Sequence, residues 1–208
     1  RLETNSKKID AYRNEILNTI NFPSIKKNKY KIIHISNFGN RLFNRLYFIS
    51  IAKKISNALI RLGHDVLNIS DRDTIRFNRN ISGKSGINYL NKLFVETVRN
   101  YSPDLIVLGH SDNLQKESLN TIKNFKKDIK IVQWFEDNLH ESGPDPILNQ
   151  KRLLKYDDFI DHNFITTHPS VLHFIKNKEK YSYFPIPVDK NIEKLNVYKN
   201  DQAIYDLF

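Results

Sequence analysis

The spacing of apolar positions changes along the chain, and each change predicts an element. Between Asn5 and Ile20, the residues Ile9, Tyr12, Ile16 and Ile20 recur at intervals of three and four, the pattern of an amphipathic helix. Residues 21–30 carry Pro23 and the Lys26, Lys27, Lys29 run and read as a solvated connector. From Lys31 onward short apolar runs alternate with longer helical stretches. Residues 31–35 predict a strand that stops at Ser36-Asn37-Phe38-Gly39-Asn40. Residues 45–62 predict a helix with Leu46, Ile49, Ala52, Ile55 and Leu59 on one broad face, closed by Gly63. A second strand follows over 64–69 and ends in Ser70-Asp71-Arg72-Asp73. This strand–helix–strand unit has the size of a right-handed crossover between parallel strands.

The same alternation continues. Residues 74–87 read as a polar loop, 88–101 as a helix, and 105–108 as a strand after the Pro103-Asp104 break. A charged helix over 115–127 leads into a strand over 129–135. Gly143-Pro144-Asp145-Pro146 opens a helix reaching Tyr156, a weaker strand covers 159–165, a short helix 169–176, and an extended piece 181–187. The fold class this predicts is α/β: a Rossmann-like open, mostly parallel sheet with helices on both faces. The domain plan is an N-terminal helix and linker (1–28), a Rossmann-like domain (29–190) and a connector (191–208).

Composition narrows the function classes. The 208 residues are 39% hydrophobic and 12% aromatic, enough for a packed core and too much for a disordered chain. Lys plus Arg number 33 against 23 acids, a net charge of +10, which suits anionic partners. Ile, Asn and Lys, all with AT-rich codons, make up about a third of the chain, so part of that charge is compositional bias. The absence of cysteine excludes disulfides, thiolate–metal sites and Cys nucleophiles. No apolar run reaches the roughly 18 residues of a membrane span and no signal peptide is visible, which predicts a cytoplasmic location. An Arg at position 1 and no Met anywhere predict an excerpt of a longer protein.

In an open parallel sheet ligands sit beyond the carboxyl ends of the strands. That rule selects Ser36–Arg41, Asp71–Asp73, Gly109-His110-Ser111-Asp112, Glu136-Asp137-Asn138 and Thr166-Thr167-His168. Asn37-Phe38-Gly39-Asn40-Arg41 allows a tight turn and close backbone approach before a helix N-terminus, or is a plain strand-to-helix turn. It lacks the three spaced glycines of a dinucleotide site. His110 is a candidate general base or hydrogen-bond partner for a sugar or phosphate, against a structural loop histidine. Glu136 and Asp137 follow Trp134 and Phe135, where a neighbouring aromatic can raise a carboxyl pKa, against a helix cap and solvated loop. Asp71 and Asp73 suit contact with a ribose or capping of a turn better than a metal.

Other motifs fail. Ser82-Gly83-Lys84-Ser85 contains GKS, but the P-loop glycine five places before Gly83 is Asn78. His162, His168 and His173, with Asp158 and Asp161, have no metal-ligand spacing, so no metal is expected. Basic residues are scattered without a nucleic-acid recognition motif, so no nucleic-acid partner is expected.

The order of these segments resembles a known family. Ile35-Ser36-Asn37-Phe38-Gly39-Asn40-Arg41, then a helix running into Leu62-Gly63-His64-Asp65-Val66, is similar to the opening of GT-B-type glycosyltransferases. Residues 69–73, 103–110 and 133–137 look like segments of a bacterial subgroup related to group 1 and spore-coat-type enzymes. Phe184-Pro185-Ile186-Pro187-Val188-Asp189 is similar to the stretch before the crossing into the second domain. The resemblance covers about residues 30–190. It implies the N-terminal, acceptor-side half of a GT-B fold, moving a sugar from a nucleotide-sugar to a cell-surface glycan or lipid-linked precursor. The C-terminal Rossmann domain of the same protein would hold most of the donor, with no metal and no cofactor beyond that co-substrate. It implies a catalytic role for His110, Asp137 or Glu136, and donor or acceptor contacts from Asn37, Phe38, Gly39, Asn40, Arg41, Asp71, Asp73 and Thr167. It further implies work at the inner face of the membrane, with peripheral membrane contact, and a fragment inactive alone. The alternative is a non-catalytic Rossmann-like binding module.

Overall fold

A computed structural model describes residues 29–39, 50–81 and 84–189. The helix read over residues 5–20, the first part of the helix read from Arg45, and the candidates Asn40 and Arg41 lie outside the described residues.

Among the described residues, six strands form one sheet: β1 (Lys31–Ser36), β2 (Asp65–Ser70), β3 (Leu105–Leu108), β4 (Lys130–Phe135), β5 (His162–Ile165) and β6 (Tyr181–Tyr183). Their order is β2-β1-β3-β4-β5-β6 and every pairing is parallel. Chain order reverses at β1, so the switch point lies between β1 and β3. Among the described residues, five helices accompany the sheet: α1 (Ile51–Arg61), α2 (Asp71–Asn78), α3 (Lys84–Tyr101), α4 (Lys116–Phe125) and α5 (Pro146–Leu154).

Period-two alternation sorts the strand residues between two faces. Ile33, Ile35, Ile69, Ile106, Leu108 and Ile131 face α3 and α4, meeting Leu90, Phe94, Val98, Leu119 and Ile122 in one buried cluster. Phe135 and Ile165 extend that side under Leu153 of α5. On the opposite face Ile32, Val107 and Trp134 meet Phe38 and the Ala52, Ile55 and Leu59 stripe of α1. Ser50 caps α1, its Oγ accepting from the Lys53 N–H at 3.3 Å, and Gly63 at φ 91° turns the chain into β2. Two aspartates staple the amino ends of the sheet in the same way. Asp104, before β3, accepts from the Lys31 N–H at 2.8 Å; Asp161, before β5, accepts from the Ile131 N–H at 2.9 Å.

Three local expectations are corrected. Residues 74–78, read as the start of a polar loop, belong to the helix α2, and α3 begins at Lys84, four residues earlier than the pattern indicated. Residues 169–176 hold only a single 3₁₀ turn, Pro169–Val171, because Leu172 leaves it with extended backbone. Within the last extended piece, residues 181–187, the strand β6 covers Tyr181–Tyr183.

Candidate active site

The carboxyl ends of β3 and β4 place His110 and Glu136 side by side. Gly109 carries no side chain where β3 meets its neighbours; a Cβ there would run into Ser36 Oγ and the Trp134 ring. His110 therefore leaves the sheet pressed against two aromatics, edge-on to Trp134 at 6.2 Å and tilted over Phe135 at 5.8 Å between centroids. Its Nε2 lies 3.0 Å from Glu136 Oε1 and 3.9 Å from Asp137 Oδ2.

Arg152, in the last turn of α5, completes the cluster. Its Nη2 donates to His110 Nδ1, its Nη1 to Asp137 Oδ2 at 2.6 Å, and its Nε and Nη2 hold Asp112 at 3.2 and 3.0 Å. The guanidinium has donors only, so His110 Nδ1 must accept and the ring proton sits on Nε2, donating to Glu136. Burial pulls the His110 pKa down, but the Glu136 hydrogen bond and the Glu136 and Asp137 charges outweigh it, and the net shift is upward. Glu136 Oε2 is enclosed and makes no hydrogen bond. Asp112 and Asp137 hold the Arg152 guanidinium, Glu136 pairs with His110, and Arg72 at 3.6 Å and Lys155, on the Asp112 carbonyl, stand beside Asp112. Three carboxylates thus face three cations, a set of donors and acceptors that suits a hydroxyl-bearing ligand.

The other candidates are placed as follows. Thr167 Oγ1 accepts from the Leu139 N–H at 3.1 Å and Thr166 Oγ1 donates to the Glu136 carbonyl at 2.8 Å, so β5 ties down the Glu136 loop. Gly39 has φ 65°, the left-handed turn its residue type permits. Asn37 follows β1 at the same edge of the sheet. The Phe38 side chain is buried against α1, edge-on to His34 at 5.1 Å, and its N–H donates to Ser70 Oγ. Asp73 is buried beside Ser70, whose hydroxyl it accepts. Asp71 is fully buried; burial raises its pKa to about 6, against the Arg72 N–H and Asn113 amide that it accepts from. The structure thus brings His110, Glu136 and Asp137 together and leaves the Phe38, Asp71 and Asp73 side chains enclosed. Among the described residues no group of three His, Asp or Glu side chains could hold a metal.

Two functional-looking residues had no sequence signal. Arg152 sits in Gln150-Lys151-Arg152, which reads as an ordinary basic helix end. His34, in the middle of β1, is fully buried. Its Nε2 accepts from Trp134 Nε1 at 2.9 Å, its Nδ1 lies 2.7 Å from Ser56 Oγ, and Ser56 in turn donates to Asn68 at 2.8 Å. Trp134 and Ser56 assign His34 the Nδ1–H tautomer, and burial lowers its pKa to about 3. This chain fixes Trp134, and Trp134 is one wall of the His110 site.

No protein-family model and no curated protein matches the sequence. Among solved structures, an alpha-glucosyltransferase in complex with UDP-glucose and DNA containing an abasic site is 14% identical, with a TM-score of 0.48 over 79% of this chain. The chain spans 44% of the length of that structure.

Proposed function

We propose that the chain is the acceptor-side half of a two-domain glycosyltransferase, in which His110 takes the proton of the acceptor hydroxyl. The observation that carries this reading is the Glu136–His110 pair at the carboxyl edge of an all-parallel sheet, on the β3 side of the β1/β3 switch point, where such sheets bind ligands. The motif order along residues 30–190 supports it.

In this reading an acceptor hydroxyl replaces Arg152 on His110 Nδ1, while Arg152 keeps its carboxylates Asp112 and Asp137. As the imidazole accepts the proton, Glu136 on Nε2 stabilises the imidazolium that forms. Oxygen of the hydroxyl attacks the anomeric carbon, and the bond to the nucleotide phosphate breaks. The nucleotide leaves as an anion, held by groups outside this cluster. The sugar donor, the acceptor and the partner domain belong to the whole protein.

The test uses the encoded full-length protein with a panel of nucleotide-sugars, reading nucleotide release. His110→Ala should lower release by about 10²–10⁴-fold with folding intact. The second reading, a non-catalytic binding module, is favoured by one observation: Arg152 already occupies His110 Nδ1, as in a closed structural network. Saturable ligand protection against melting with no nucleotide release from any donor would support that alternative.

A further inference from the structure

The loop that carries His110 is held by side chains from other elements. Residues 109–115 join β3 to α4, and each carbonyl from Ser111 to Leu114 accepts a hydrogen bond from such a side chain. The Tyr156 hydroxyl donates to the Ser111 and Leu114 carbonyls, at 3.0 and 2.8 Å. Lys155 Nζ donates to the Asp112 carbonyl and, at 3.0 Å, to that of Leu114. Asn91 of α3 donates to the Asn113 carbonyl at 3.2 Å, while its Oδ1 accepts from the Gln115 N–H and the Ser118 hydroxyl, each at 2.8 Å.

Within this set Tyr156 bears most directly on His110. It is buried, and burial together with the Asp112 and Asp71 charges drives its pKa up, so the phenol keeps its proton and stays a donor. Its two acceptors lie one and four residues after His110 and flank Asp112. Tyr156 also follows Arg152 by four residues, in the turn that ends α5, where the Lys155 backbone is still helical. One turn therefore delivers the guanidinium to His110 Nδ1 and holds the loop that presents the ring. Glu136 comes from the end of β4, and its carbonyl is tied to β5 through Thr166. The two halves of the His110–Glu136 pair rest on separate supports.

We propose that Tyr156 is a positioning residue of the site: its hydroxyl sets the β3–α4 loop so that His110 meets Glu136 and Arg152 at once. It acts through the loop and takes no part in proton transfer. Its effect on rate rests on the glycosyltransferase reading; its effect on the imidazole does not.

The experiment is a histidine-selective NMR titration of the full-length protein, with the His110 signal assigned by His110→Gln. Glu136 and Asp137 beyond β4 and Arg152 on α5 face the ring, and the two carboxylates hold its midpoint above 6.5. Tyr156→Phe removes only the hydroxyl, and the midpoint should fall toward 6.5 as the ring slips from Glu136. Tyr181→Phe is the control: Tyr181 is also buried, but it donates to Asp157 Oδ1 at 2.9 Å. It should lower the melting temperature to a similar extent and leave the His110 midpoint in place. Lys155→Met removes a second donor to the same loop and should also lower the midpoint, although loss of a cation by itself would raise it. That variant keeps the test open if Tyr156→Phe folds poorly. In the nucleotide-release assay Tyr156→Phe should reduce kcat by up to about a hundredfold with the donor KM little changed. No release from wild type contradicts the transferase reading and leaves the titration to decide this proposal. A His110 midpoint that stays or rises in Tyr156→Phe overturns it, as does an equal fall in Tyr181→Phe.

Discussion

His110 has one ring nitrogen on a carboxylate and the other on a guanidinium, and that arrangement makes its titration informative. Glu136 raises the imidazole pKa, so a base at this position works above a pKa higher than the usual 6.5 and loses activity as pH falls through it. Glu136→Gln removes the main upward contribution. The acid limb of the rate profile should then move to lower pH while the plateau drops, and a profile that stays in place would remove Glu136 from the account. His34 makes a separate prediction about stability. Its folded pKa of about 3 lies below the unfolded value, so the unfolded chain binds the extra proton and stability falls as pH drops below about 6.5. Asp71 works in the opposite sense: with its pKa raised to about 6, it disfavours the fold as pH rises through the range from 3.8 to 6. The two oppose each other in the native protein and are separated by substitution. Between pH 7 and pH 5, wild type should lose about 2 kcal/mol relative to His34→Gln in urea unfolding. Asp71→Asn should be at least as stable as wild type at pH 7.5. Parallel pH curves would contradict either assignment.

Elements differ in how plainly the chain announces them. β1, β3 and β4 were legible because Lys31–Ile35, Leu105–Leu108 and Ile129–Phe135 are apolar runs bounded by polar turns, and their alternation along the chain implied a parallel sheet. Helix α2 was not legible. Asp71-Arg72-Asp73-Thr74-Ile75-Arg76-Phe77-Asn78 contains two apolar residues, and one of them, Phe77, is exposed. What holds α2 is tertiary: Ile75 against the core and the Gly86 crossing with α3, neither of which is visible in local periodicity. Gly86→Ala should accordingly destabilise the fold by about 1–3 kcal/mol in urea unfolding, the cost of overpacking, although alanine is the better helix former. An unchanged or raised midpoint would mean that the crossing is looser than described. The site was legible to the same degree. His110, Glu136 and Asp137 follow strand ends and could be found by that rule; Arg152 reaches them from a helix that begins ten residues after Glu136, and only the folded geometry brings it there.

At the scale of the molecule, charge is unevenly spent. A chain of net charge +10 gathers three carboxylates, Asp112, Glu136 and Asp137, around His110 and Arg152, beyond β3 and β4 at the carboxyl edge of the sheet. The segment after β6 crosses back over the opposite face, with Phe184 on Phe164, and ends at buried Asp189, 3.0 Å from Arg61 at the end of α1. That ion pair joins the last described residues to the first crossover and leaves the carboxyl edge uncovered by this segment. The fold, the switch point and the His110 cluster thus face one direction. The role proposed for this cluster is to deprotonate an acceptor hydroxyl during sugar transfer. The most direct measurement is nucleotide release by the full-length protein with a panel of nucleotide-sugars, for wild type and His110→Ala. Release from one donor, reduced at least a hundredfold in the variant with melting unchanged, is the predicted result. Release unaffected by His110→Ala, or none from any donor, would contradict it.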